Sequence, residues 1–426
     1  MNSQRLPHLD NLKILLVAGV IAVHVAITYG MDGSWYLASY GKVAPAARDG
    51  ITALGAIGWL FGLGLFFLIA GRLSGPSLER KGAARFARER LLRLGVPLVA
   101  YTLLVGPVLE YVSVRADGAH PPFLPFVWGA IGGLDPGPTW FLEGLLAFSA
   151  AAALWWVVRP STRERGDSSA LRANRLRGRH LAEVAAAIAL ASFAIRFAAP
   201  LGSEQFHLQL AVFPQYALLF AFGVVAGRGG WLEAIPSRVA RCSGLAALAA
   251  ALAVPVVLST GGFFSGSKHA FAGGLHWQTI ALIAVEATLA PCACIYLIWL
   301  FQRHFDRQGA LGRRLAHAAY GAFLLHPPVI VGLALAVHPL AMPVGVKLAV
   351  VLGAGIAGSF AIAVEATRLR PVAMLIGTTD GIRRPPTGPG RAPGTSPSSS
   401  STVRRLPPWP HSSSGSRPRV RRSLST

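Results

Sequence analysis

The sequence predicts an all-α fold: a polytopic transmembrane helical bundle of about ten spans with both termini cytoplasmic. Three observations predict it. Of the 426 residues, 53% are hydrophobic and 14% charged, with a mean hydropathy of +0.50. A soluble chain of this length would expose too much apolar surface. Apolar runs of about 20 residues recur along the chain, long enough to cross a bilayer as helices. Lys and Arg crowd into alternate connecting segments, which is the positive-inside pattern. Strand-like alternation is not evident, and backbone in lipid must pair within its own segment, which leaves helices.

The spans fall at 12–29, 51–71, 94–114, 138–158, 181–199, 209–227, 242–260, 276–301, 317–337 and 345–365. Asp10 fits as N-cap of the first, which reads "LDNLKILLVAGVIAVHVAITYG" from Leu9 to Gly30. The second holds Gly58 and Gly62, a G-x-x-x-G that predicts close helix packing. A basic helix, "GRLSGPSLERKGAARFARERLLRLGVP", runs into the third, with Pro97 just inside it. The aromatics of "DGSWYLASYG" after the first span and "WGAIGGLDPGPTWF" before the fourth suit the outer interface. Arg196 lies near the outer end of the fifth span, Glu286 about ten residues into the eighth, and His326 about ten residues into the ninth. The ninth and tenth are joined by a short "HPLAMPVG" turn, and Glu365 ends the tenth on the inner side.

Net charge is +22. With the N-terminus inside, Arg72, Arg80, Lys81, Arg85, Arg88, Arg90 and Arg93 follow the second span, and seven arginines lie between Arg159 and Arg179. Arg228, Arg238 and Arg241 follow the sixth, and Arg303, Arg307, Arg313 and Arg314 the eighth. The opposite loops hold Lys42, Arg48, Arg115 and Lys268. This charge suits anionic lipid. No nucleic-acid partner is expected, because no reader motif accompanies the charge. Residues 1–370 read as one membrane domain. Residues 371–426, rich in Pro, Ser, Gly and Arg, read as a disordered basic cytoplasmic tail. Cys242, Cys292 and Cys294 lack further ligands at metal spacing, so no metal site is expected. The first span lacks a small-residue cleavage site, so no cleaved signal peptide is expected.

Lys13 and His24 are eleven positions apart. Eleven helical residues turn through about 1100°, three turns plus about 20°, so both side chains share one face, roughly 16 Å apart along the axis. Lys13 taken alone is a positive-inside anchor. His24 lies deep, where a histidine is costly without a partner or cavity. The bland reading is an interhelical hydrogen bond; the sharp one is a general base that takes a hydroxyl proton and returns it. Glu286, His326 and Glu143 are further deep ionisable groups, and a carboxylate would orient a histidine base. The proline pair after His326 gives it a structural alternative, packing at a kink. Arg90 and Arg93, three apart at the inner mouth of the third span, share a face and suit phosphate clamping. Each alone is also accounted for by positive-inside charge.

The stretches "LDNLKILLVAGVIAVH", "LFFLIAGRLSGPSLERKGAARFARERLLRLGVP", "GPTWFLEGLLAFS", "FPQYALLFAFGVVA" and "AYGAFLLHPPVIVGLAL" resemble, in order, the membrane acyltransferase-3 family. The resemblance covers about residues 9–335. It implies an integral multi-pass enzyme of the cell inner (plasma) membrane. The reaction implied is transfer of an acyl group, often acetyl or succinyl, from cytoplasmic acyl-CoA to a hydroxyl of a sugar or glycan. Acyl-CoA is then a donor substrate, with no permanently bound cofactor. By position the family's basic residue and histidine fall on Lys13 and His24, its R-x-x-R on Arg90 and Arg93, its W-F on Trp140 and Phe141, and its late histidine on His326. Glu286 resembles a late-span glutamate of some members, and Glu143 stands beside the W-F on the acceptor side. Lysine replaces the usual arginine at position 13, which keeps the charge and loses the planar fork. The other function classes are a proton-coupled secondary transporter, suited by deep acids and histidines, and a non-catalytic scaffold using the basic tail. Oligomeric state is not legible.

Overall fold

The computed structural model describes residues 6–38, 43–158, 175–205 and 207–369. The predicted tail, Lys42 and the stretch holding Arg159 to Arg172 lie outside them. Among the described residues there is no strand, only one isolated bridge between Gln205 and Leu208. Among the described residues ten helical stretches are long and apolar enough to cross a membrane, and each predicted span matches one of them, overrunning it by at most one residue.

The helices are α1 (Pro7–Thr28), α2 (Pro45–Lys81), α3 (Ala83–Ala116), α4 (Phe123–Gly133), α5 (Trp140–Val158) and α6 (Gly178–Ala198). They continue with α7 (Phe213–Gly229), α8 (Ser237–Thr260), α9 (Trp277–His304), α10 (Ala310–Val337) and α11 (Val344–Ala366). Several outrun their apolar segments. Hydropathy marks what lies in lipid, whereas backbone bonding continues a helix into polar sequence, as in α2 through "RLSGPSLERK". The short α4 buries none of its residues and precedes the fourth span. Helix α1 starts earlier than predicted. Pro7 opens it with φ already helical and no N–H to leave unpaired. Asp10 is therefore in the first turn rather than the N-cap.

Glycines set the crossing of α2 and α7. A Cβ on Gly71 would lie 2.0 Å from the Phe220 carbonyl oxygen, one on Gly223 2.2 Å from that of Leu68, and one on Gly227 2.5 Å from that of Arg72. Gly71 and Gly75 on α2, and Gly223 and Gly227 on α7, are both G-x-x-x-G spacings. They let the backbones touch. Gly58 and Gly62, expected to do this, have open space where a Cβ would go. The apolar core runs between the helices, while residues such as Leu245, Leu248, Leu252 and Val256 form an exposed stripe on α8, as a lipid-facing helix requires.

Prolines inside the helices release particular carbonyls for tertiary bonds. A proline at position i has no N–H, so the carbonyl at i−4 loses its helical donor. Pro97 in α3 frees the Arg93 carbonyl, which instead accepts from the Tyr320 hydroxyl of α10 at 3.0 Å. That bond ties α3 to α10. Two π-helical turns, Leu91–Gly95 and Tyr101–Val105, flank Pro97.

Candidate active site

Helices α1 and α10 bring His24 and His326 together. His326 Nε2 lies 3.0 Å from His24 Nδ1, and the rings are near parallel with centroids 5.0 Å apart. His326 is completely buried, whereas His24 is half-buried. Pro327 removes the donor that would have bonded the Phe323 carbonyl, and His326 Nδ1 is hydrogen-bonded to that same carbonyl.

These bonds fix the proton positions. A carbonyl oxygen only accepts, so His326 Nδ1 carries the hydrogen. In the neutral ring His326 Nε2 is then an acceptor, and His24 Nδ1 must donate to it. This leaves the lone pair of His24 on Nε2. Among the described residues nothing donates a hydrogen bond to that atom. Phe323 carbonyl, His326 and His24 thus form a chain of three groups that ends on His24 Nε2, an atom able to accept a proton.

The predicted cationic residues sit elsewhere. Lys13, roughly 16 Å from His24 along α1, binds Asp10 of its own helix at 3.3 Å. Arg90, the last α-helical residue before the first π turn, donates to Ser74 Oγ of α2 at 3.3 Å and lies over the Phe86 ring at 5.2 Å. Arg93 lies within the π turn and is exposed.

Glu286 of α9 is fully buried and paired with Arg196 of α6. The ring within hydrogen-bond reach of His24 is His326, not the Glu286 carboxylate. Arg196 Nε and Nη1 and Glu286 Oε1 have no partner among the described residues. Trp140 opens α5 and stacks on Tyr216 at 6.0 Å, while Glu143 is half-buried in the same first turn. Phe141 meets Phe323 edge-on at 5.9 Å, so the phenylalanine of the W-F pair packs against the residue whose carbonyl holds His326.

Two features escaped sequence reasoning. The first is the Phe323 carbonyl, although "FLLHPP" announces it: a proline four residues on frees the carbonyl, and a histidine in between is within reach. The second is Trp35, read only as an interfacial aromatic. It lies face to face with His24, centroids 4.0 Å apart, and near parallel to His326 at 5.8 Å. Its loop is held at several points. Asp32 pairs with Arg48 at 2.5 Å and Lys268 at 2.9 Å, and its N–H bonds Thr52 Oγ at 3.2 Å. The Tyr36 and Tyr101 hydroxyls are 3.2 Å apart, and Ser113 Oγ donates to the Tyr36 carbonyl. Burial alone would raise the Asp32 carboxyl, but hydrogen bonds and attraction from Lys268 and Arg48 outweigh it and leave the group below its ordinary value. Burial pushes the Tyr36 hydroxyl above its own.

Among the described residues no three His, Cys, Asp or Glu side chains gather as a metal-ligand set. Neither a comparison with curated proteins nor one with solved structures gives a match. The family model described as an acyltransferase domain, acyltransferase-3, matches residues 6–364. That match includes every helix that carries His24, His326, Arg90 and Glu286, and it sets the transporter reading aside. The chain therefore belongs to the acyltransferase-3 family, and is a multi-pass membrane acyltransferase.

Proposed function

We propose that the enzyme moves an acyl group, such as acetyl or succinyl, from cytoplasmic acyl-CoA to a hydroxyl of a sugar or glycan, in the cell inner (plasma) membrane with both termini cytoplasmic. The observation that carries this reading is the hydrogen-bonded chain that leaves the His24 Nε2 lone pair open. The acceptor hydroxyl gives its proton to Nε2 as its oxygen attacks the thioester carbonyl carbon. The tetrahedral intermediate collapses, the carbon–sulfur bond breaks, and the thiolate takes the proton from the imidazolium. Products are the ester and free CoA. His326 spreads and stabilises the positive charge on His24, and its own position is fixed by Phe323. Arg90 and Arg93 hold the nucleotide phosphates at the inner mouth, with Lys13 adding charge. Trp140 and Glu143 contribute to the acceptor side. Glu286, engaged by Arg196, joins α6 to α9 rather than orienting the base.

The test compares glycans and small metabolites of deletion and wild-type cells for a missing ester mass. Re-expression of the wild type should restore that mass, and His24→Ala should not, since a placed base contributes about 10²–10⁴-fold. Restoration by His24→Ala would rule the role out.

A further inference from the structure

Trp35 is the one aromatic ring in contact with both histidines whose polar atom is unspent: its indole Nε1 is buried and has no hydrogen-bond partner among the described residues. A buried donor left unpaired destabilises the fold. The sequence does not relieve that cost; it fixes the ring in place. The Asp32 ion pairs, the Asp32–Thr52 bond, the Tyr36–Tyr101 contact and the Ser113 bond to the Tyr36 carbonyl hold the segment on both sides of Trp35. A rigid, desolvated donor beside an open base is what acyl transfer requires. When the thioester carbonyl is attacked its oxygen gains a full negative charge, and a preorganised N–H in a dry site stabilises that charge far more than water does.

We propose that Trp35 is a catalytic residue whose indole N–H donates to the oxygen of the reacting acyl carbonyl, acting as an oxyanion donor opposite the His24 base. The assignment rests on the acyl-transfer mechanism proposed for His24. In the step, the carbonyl π pair moves onto the oxygen as the new carbon–oxygen bond forms. The Trp35 hydrogen bond shortens onto that oxygen. The pair then returns to the carbon as the thiolate leaves. Trp35 exchanges no proton, so the balance of the reaction is unchanged. The indole face, meanwhile, keeps the His24 ring in the plane in which His326 can reach it.

The experiment uses the full-length protein in lipid nanodiscs, with acetyl-CoA as donor probe and a methyl glycoside as hydroxyl probe, and follows release of CoA thiol. Trp35→Phe keeps a ring over His24 and removes the N–H. It should lower kcat by about 10²–10³-fold, with KM for acetyl-CoA unchanged and thermal stability not reduced, because the unpaired donor goes with it. Trp35→Ala should be at least as slow. Wild-type kcat in Trp35→Phe would overturn the proposal even if Trp35→Ala were slow, since ring contact alone would then account for the residue. A raised KM at unchanged kcat would overturn it as well. The His24→Ala control separates the two readings. An inert His24→Ala beside a fully active Trp35→Phe removes the oxyanion donor and leaves the base; an active His24→Ala removes the base itself.

Discussion

Pro327 and Phe323 stand one helical hydrogen bond apart, and that bond is missing by covalent necessity; His326 occupies the gap. Restoring the N–H should therefore disturb the chemistry while relieving the helix. A proline inside a helix costs about 3 kcal/mol relative to alanine. Pro327→Ala should leave the thermal midpoint equal or higher. It should also let the backbone compete for the Phe323 carbonyl, loosen the His326 tautomer, and lower kcat about tenfold or more. Thermal unfolding and thiol-release kinetics on one preparation check both halves. A less stable Pro327→Ala with wild-type kcat would contradict the proposed role of the freed carbonyl.

The two histidines should behave as one unit. In the proposed mechanism His24→Ala removes the base, and His326→Ala removes what orients it and stabilises its charge. Groups acting together are strongly non-additive. The double variant should then be no slower than His24→Ala alone, and His326→Ala should fall between that and wild type. Independent, multiplying losses in the three variants would show that the hydrogen bond between the rings has no part in the rate.

The ten spans and the candidate base were legible because both are local signals. Apolar length marks a span, and an imidazole deep in one has few bland explanations. What was hidden is pairing between distant segments. Nothing local tells whether Glu286 faces His24 or Arg196, since both partners are remote in sequence and the outcome depends on how α6, α9 and α1 rotate about their axes. Glycine spacing failed for a related reason. Gly58–Gly62 and Gly71–Gly75 have the same pattern on the same helix, and only the second faces α7. Trp35 was legible only as an interfacial aromatic, because its face-to-face contact with His24 depends on tethers from α2, α3 and the segment at Lys268.

The glycine contrast is directly testable. Gly71→Ala drives a methyl against the Phe220 carbonyl oxygen, where an ideal Cβ would lie 2.0 Å away, and Gly223→Ala does the same at 2.2 Å from that of Leu68. Neither neighbour is a flexible side chain, so the helices must separate, at about 1–3 kcal/mol. Gly58→Ala meets open space and should be neutral or slightly stabilising through helix propensity. Midpoints of thermal unfolding in one detergent rank the three; equal losses would show that the α2–α7 crossing yields easily.

The buried Arg196–Glu286 pair should be costly to break and cheap to replace. Arg196→Met strands a carboxylate in the core, which typically costs about 3–5 kcal/mol. Replacing both by apolar residues, Arg196→Met with Glu286→Leu, removes the stranded charge and should recover most of that loss. Unfolding midpoints of the two variants give the answer. Full activity in the stable double variant would confine the pair to structure, whereas a folded but inert one would give Glu286 a chemical part.

The tether at Asp32 should fail in acid. Its folded-state carboxyl titrates below the ordinary value of 3.8, because Lys268 and Arg48 outweigh the burial that would raise it. A group with a lowered folded value adds stability that is fully present above the ordinary value. That stability is lost as the pH falls through the lowered one. The wild type should therefore lose thermal stability on acidification to that range, by more than Asp32→Asn does, since asparagine carries no charge to lose. At neutral pH Asp32→Asn should already be less stable and slower, because the loop that presents Trp35 has lost both ion pairs. Thermal midpoints against pH for the two proteins check the sign. Parallel profiles would show that the contacts with Arg48 and Lys268 do not hold the loop.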